Sequence, residues 1–169
     1  FAVNVVGSMV PERGPGSLFV IDDFIEFTQG RQCTFFDRPG EVTHTDMTAI
    51  YDPELRAILI RAAELEGQEV TNTATYVCTN GPRFETPAEI RMYAQLGAHV
   101  VGMTGYPEVA LAREAGLRYA SIAVVSNLAA GITDDVVEEK EIWQALEATK
   151  DPVFRILKRA TQLSASGEC

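Results

Sequence analysis

Positive charge is what this chain has least of relative to its counterpart: 14 Lys and Arg stand against 24 Asp and Glu over 169 residues, a formal net charge of −10. The acidic residues are scattered and form no tail. An extended phosphate backbone or an anionic membrane surface would be repelled, so neither nucleic acid nor membrane is an expected partner. Cysteine is sparse too. Cys33, Cys78 and Cys169 are odd in number and lack metal-ligand spacing, which fits reduced thiols in a cytoplasm. No apolar run reaches the length of a membrane span, and no signal peptide is visible. An initiating methionine is also missing. The chain opens on Phe1-Ala2-Val3-Asn4-Val5-Val6-Gly7, a buried-strand pattern already under way, and the expectation is a longer protein whose remainder precedes Phe1. With no repeats, low-complexity tracts or linkers, residues 1–169 are expected to form one domain, N-terminally incomplete, burying roughly 70% of its unfolded surface.

What is present is organised around Thr79-Asn80-Gly81-Pro82-Arg83-Phe84-Glu85-Thr86-Pro87-Ala88-Glu89. Thr75-Tyr76-Val77-Cys78 is β-prone and stops where Asn80-Gly81-Pro82 forces a turn. Thr86 offers a cap, Pro87 a first helical position that needs no N–H, and Glu89 completes a Thr-x-x-Glu box. Phe84 and Glu85 therefore fall in a loop at a strand's carboxyl end, where open α/β sheets receive ligands.

Taken in order, residues 1–6 and 18–21 read as buried strands, the second running into Asp22-Asp23-Phe24-Ile25. Residues 28–51 have no sustained period and read as a long functional or interfacial loop. Asp52, Pro53 and Gly67 punctuate a helix whose Leu55, Ile58, Leu59, Ala62 and Leu65 share one face. A helix over 87–96, a strand over 99–103, a helix over 107–115 and a strand over 119–125 follow, an alternation that predicts a parallel sheet. The tail, 136–163, reads as helical, with Ile142, Leu146, Val153, Phe154, Ile156, Leu157 and Ala160 as core positions and Pro152 as a kink or break.

A parallel series would gather Phe84-Glu85, Met103-Thr104 and Ser126-Asn127 at one edge, with Asn4-Val5-Val6-Gly7 beside them. An aromatic face, a carboxylate, an amide, a thioether, a hydroxyl and closely approaching backbone suit a flat heterocycle joined to a polar group. Each residue also has a plainer use: Glu85 as a solvated acid near a helix start, Asn127 as a turn residue, Phe84 and Met103 as core, Thr104 as a helix cap, His44 as a surface side chain.

The run from Gly81 to Glu89, with Val101-Gly102-Met103-Thr104 and Pro107-Glu108-Val109-Ala110-Leu111-Ala112, resembles the trimeric purine nucleoside phosphorylase and methylthioadenosine phosphorylase family over residues 1–130. The resemblance implies an α/β fold in which a central mixed sheet curls towards a barrel flanked by helices. It implies phosphorolysis of a purine N-glycosidic bond, with inorganic phosphate as co-substrate, no metal or organic cofactor, and a cytoplasmic homotrimer. It assigns Phe84, Glu85 and Asn127 to the base, Met103 and His44 to the ribose, and Thr104, Val5 and Asn4 to phosphate. Glu85 and Asn127 carry the catalytic roles.

Because a Glu85 carboxylate accepts from the N1–H of hypoxanthine or guanine but faces a bare acceptor in adenine, 6-oxopurine nucleosides are the expected substrates. Family members that favour 6-aminopurines carry aspartates where this chain has Asn127 and Ala129. Two parts the resemblance calls for, a glycine-rich phosphate loop and an Arg-His pair, would precede Phe1. At the 5′ end, Glu139 matches neither a histidine for a 5′-hydroxyl nor an apolar residue for a methylthio group. A methylthioadenosine phosphorylase and a truncated, inactive purine-binding or assembly domain stand as alternatives.

Overall fold

The computed structural model describes residues 1–136 and 138–167, so Cys169 lies outside the described residues. Six strands and four helices follow one another as β1 (Ala2–Ser8), β2 (Leu18–Val20), β3 (Asp23–Phe27), α1 (Pro53–Leu65), β4 (Thr75–Thr79), α2 (Pro87–Gln95), β5 (Val100–Gly102), α3 (Glu108–Glu114), β6 (Ser121–Leu128) and α4 (Glu139–Ser166). The sheet order is β2-β6-β1-β5-β4-β3. It is mixed: β1 runs parallel to β6 but antiparallel to β5, while β4 is parallel to both β3 and β5. The parallel series expected from strand-helix alternation is thereby corrected. Alternation fixes local crossovers but not which strand slots between two others, and here β1, distant in sequence, separates β5 from β6.

The sheet closes towards a barrel. Beyond its pairing with β6, β2 exchanges hydrogen bonds with Thr71 (Val20 N–H to Thr71 O, 2.9 Å; Thr71 N–H to Leu18 O, 2.8 Å), and Asp22 N–H reaches Ala74 O at 3.2 Å. The segment leading into β4 is thus drawn onto the opposite edge strand.

Alternating side chains feed separate cores. Val6, Ala123, Val125, Phe19 and Tyr76 fill the curled interior, while Leu18, Val20, Ile122 and Val124 pack outward against Leu55, Ile58, Leu59 and Ala62 of α1 and Val153, Ile156 and Ala160 of α4. A third cluster joins Ile90 and Tyr93 of α2 to Val77 and Val101. Between these outward clusters one strip is uncovered: Val3 and Val5 of β1 remain 41% and 38% exposed. The buried strand expected at residues 1–6 is therefore buried on one face only.

The strand β3 was not legible as such, because Asp23 and Glu26 break its apolar pattern and it is a half-exposed edge. Pro152 does not divide α4, which continues as one helix from Glu139 to Ser166. Burial of Val153 and Ile156, each contributing roughly 1.5 to 3 kcal/mol, offsets the roughly 3 kcal/mol that an interior proline costs. No helix among the described residues is long and apolar enough to cross a membrane.

At the start of α1 the Asp52 carboxylate accepts from Leu55 N–H at 2.9 Å and from both Nε and Nη2 of Arg118 at 2.7 Å. The Arg118 hydrogen bonds, then those from backbone N–H groups, hold its carboxyl below the ordinary aspartate value. A lowered folded-state value means stabilisation that is complete above the unfolded value and is lost as pH falls through the folded one. Asp52→Ala is expected to lower stability by about 1 kcal/mol near neutral pH, a melting shift of roughly 2–4 °C, with the difference from wild type shrinking in acid. Thermal melts at neutral and acidic pH check this.

Candidate functional site

The capping box anticipated at Thr86 is present in both directions: Glu89 N–H donates to Thr86 Oγ1 at 3.2 Å, and Thr86 N–H donates to Glu89 Oε2 at 2.8 Å. Arg83 adds a bidentate pair to Glu89 at 2.8 and 2.7 Å. That pair, with the Thr86 N–H, pulls the Glu89 carboxyl down to about 2. The residues just before the helix are consequently held at both ends. Thr79, the last residue of β4, donates its hydroxyl to Glu85 Oε1 at 2.7 Å and leaves Oε2 without a partner among the described residues. Gly81 has φ +65°, and a Cβ there would sit 2.3 Å from Met103 Sδ. Only glycine lets the β4 loop and the β5 loop close up in this way.

The β5 loop is set from below. Tyr76, 1% exposed, accepts at its hydroxyl from Thr104 N–H at 3.1 Å and Gly105 N–H at 3.2 Å. Burial pushes the Tyr76 phenol well above its ordinary value, so it stays neutral. Asn4, buried on the interior face of β1, donates Nδ2 to Thr104 Oγ1 at 3.2 Å while its Oδ1 accepts from Ser121 Oγ at 2.5 Å. Thr104 does not cap α3, whose first turn has no side-chain cap.

On β6, Asn127 Nδ2 donates to Leu128 O at 2.8 Å and its Oδ1 accepts from Ser126 Oγ at 2.8 Å. A carbonyl can only accept, so Leu128 O fixes which end of the amide is nitrogen. One Asn127 N–H remains for a ligand.

These groups converge on a cavity of about 400 Å³ over the open strip of β1. Its walls include Val5, Phe84, Glu85, Met103, Thr104 and Asn127, all anticipated from the sequence. The shared carboxyl edge is not what gathers them. With β5 antiparallel to β1, the end of β5 meets the middle of β1, and the cavity lies on the sheet face. Asn4 does not line the cavity; it stands behind Thr104, to whose hydroxyl it donates. His44 is exposed in the 28–51 stretch and is not a wall residue of this chain's cavity. Glu139 also lies off the wall, accepting from Trp143 Nε1 at 3.2 Å.

One turn further on, Ile142 does line the cavity, together with Ser126 and Ala129. Helical spacing alone marks Ile142 as a core position, matching the face of Val153 and Ile156. Ser126 falls beside Asn127 at the edge the sequence marks, whereas Tyr76 leaves no signal beyond β-propensity. A larger cavity of about 550 Å³ abuts the first across Ser126 and Asn127; Asp135 and Glu141 line it, but no aromatic side chain among the described residues does.

The cavity offers one aromatic face, one carboxylate and one oriented amide over an apolar floor, on the face of a curled mixed sheet, a lining whose shape and polarity suit a flat, edge-polar heterocycle. The family described as the Phosphorylase superfamily matches residues 1–161, and the chain belongs to it. Among curated relatives, a probable 6-oxopurine nucleoside phosphorylase of Moorella thermoacetica is 47% identical, over 86% of this chain and 56% of that protein. A probable S-methyl-5′-thioinosine phosphorylase of Methanopyrus kandleri is 43% identical, over 95% and 61%. The 6-oxopurine nucleoside phosphorylase of Pyrococcus furiosus is 43% identical, over 96% and 63%. The chain thus spans less than two thirds of the length of these relatives. Among solved structures, a Q289L mutant of adenosine/methylthioadenosine phosphorylase from Schistosoma mansoni with tubercidin superposes with a TM-score of 0.92 at 31% identity, covering 98% of this chain and 66% of that one.

Tyr76→Phe removes the acceptor of both β5-loop N–H groups, of which that of Gly105 is buried. The expected loss is about 1–3 kcal/mol, read as a lower urea midpoint with an unchanged slope.

Proposed function

We propose that this protein is a purine nucleoside phosphorylase selective for 6-oxopurines. It splits the N-glycosidic bond of inosine, guanosine or 5′-methylthioinosine with inorganic phosphate. The products are free purine and ribose 1-phosphate or methylthioribose 1-phosphate. The observation that carries the reading is that the Glu85 carboxylate and the Asn127 amide line one cavity with Phe84 and Met103. The relatives named above as acting on 6-oxopurine nucleosides and on methylthioinosine support it.

In this reading the base packs on Phe84 with its N1–H donated to Glu85, and Met103 underlies the ribose. Phosphate, held by the Thr104 hydroxyl and the Val5 backbone, attacks the anomeric carbon on the face opposite the base. As the C–N bond breaks, its electron pair passes to the purine, and the remaining Asn127 N–H meets the charge growing at N7 or O6. A donor that strengthens only as charge develops lowers the barrier instead of merely binding substrate. Asn4 acts through Thr104. Neither metal nor organic cofactor takes part.

Discrimination against adenine follows from the walls. Ala129, 4% exposed, brings no acceptor for a 6-amino group, and adenine N1 would set its lone pair against Glu85. The 5′ end favours the methylthio substrate, because the wall contributed by α4 is the hydrocarbon of Ile142. His44 takes part only by reaching a neighbouring subunit's cavity, the role a cytoplasmic homotrimer would give it.

The test is phosphate-dependent release of base from inosine, methylthioinosine and methylthioadenosine, with calorimetry of hypoxanthine and adenine alongside. Sites that read a donor in this way discriminate by roughly 10⁴-fold, so the 6-oxo substrates should dominate and hypoxanthine should bind over adenine. Glu85→Ala should lower kcat/KM for inosine by about 10- to 100-fold, the loss of one charge-assisted hydrogen bond. A preference for methylthioadenosine would refute the assignment. Hypoxanthine binding with no turnover would reduce the protein to a purine-binding domain.

A further inference from the structure

The long irregular stretch 28–51 holds a guanidinium that the proposed chemistry does not use. Arg31, half-buried, donates Nη2 to Thr79 O at 3.0 Å and to Met103 O at 2.8 Å. Its Nη1 donates to Tyr106 O and lies 3.7 Å from Cys78 Sγ. Among the described residues no carboxylate lies within 4.0 Å of it. Its partners are neutral, and they belong to two different loops. Thr79 ends β4 and holds Glu85 through its hydroxyl, while Met103 precedes Thr104 in the loop after β5.

The clamp is itself held in place. Gln29 N–H donates to Asn80 Oδ1 and Asn80 Nδ2 donates to Gln29 O, both at 3.1 Å, which fastens the approach to Arg31 beside the β4 loop. Beyond it, Thr34 Oγ1 and Phe35 N–H both donate to Glu114 at 2.8 Å, at the end of α3. An arginine fixed on both sides has its planar fork oriented before any ligand arrives. Lysine could not replace it, since a tetrahedral ammonium on a flexible stem cannot serve carbonyls of two loops in one plane.

We propose that Arg31 is the positioning residue that keeps the base-reading loop, with Glu85, and the phosphate loop, with Thr104, in one fixed spacing. The site is thus assembled as a unit. This rests on the function proposed above for the ligand each loop meets, but the linkage between the loops does not. Its consequence is joint loosening: when the guanidinium is lost, both loops must open together.

The experiment compares wild type with Arg31→Lys and Arg31→Ala by hydrogen–deuterium exchange and by calorimetry with hypoxanthine. Amides at 79–86 and at 103–106 should both exchange at least about 10-fold faster in Arg31→Lys, while β1 and β6 keep their protection. Hypoxanthine affinity should fall in parallel, and methylguanidinium added to Arg31→Ala should restore both. Unchanged exchange, or loosening of one loop alone, would overturn the proposal. Loosening of both with purine affinity intact would overturn positioning and leave a purely structural clamp. If wild type binds no hypoxanthine, the purine assignment fails, and the linkage is still judged by whether both loops loosen.

Discussion

Everything about the site follows from one reversal of strand direction. Because β5 runs against β1 while β6 runs with it, the end of one strand is brought against the middle of its neighbour. The helices that follow β4 and β6 then fall to either side of β1, and the strip between their cores stays open. An apolar strip flanked by loop ends is what a planar ligand needs: the floor excludes water while the rims carry the polar groups. In an all-parallel arrangement the helices would cover that strip, and the same loops would lie along an edge.

Precision at the rims comes from residues that never face the cavity. Thr104 is gripped at its amide by Tyr76, at its hydroxyl by Asn4 and, through the preceding carbonyl, by Arg31. Glu85 is held by Thr79, and the chain beyond it by the Thr86 box and the Arg83–Glu89 pair. Rotating Thr104 would give up the bonds to Tyr76 and Asn4 and leave those buried polar groups short of a partner. The rim is therefore stiff although it is built from loops.

How much of this could be read beforehand divides along a physical line. The helices α1 and α2 were legible to within a residue or two because Asp52-Pro53 and Thr86-Pro87 write their own caps, and capping is a local interaction. The cavity walls at Phe84, Glu85, Met103, Thr104, Val5 and Asn127 were legible from a family likeness. Their arrangement was not, since strand order depends on β1 pairing across about a hundred residues of chain with β5 and β6. Arg31, Tyr76 and Ile142 escaped for the same reason. Nothing next to them in sequence marks them, and each acquires its part only from what the fold brings alongside. Asn4 lies beside Thr104 but on the opposite face of β1 from Val5, because alternation sends successive side chains to opposite faces.

The Asn127 amide carries a historical implication. Its nitrogen faces the Leu128 carbonyl, so Asn127→Asp, although one base change away, would point a carboxylate oxygen at another acceptor. Under the proposed 6-oxopurine reading, a turn towards amino-substituted bases asks the new side chain or the peptide it faces to move as well. The codon change alone leaves two acceptors opposed.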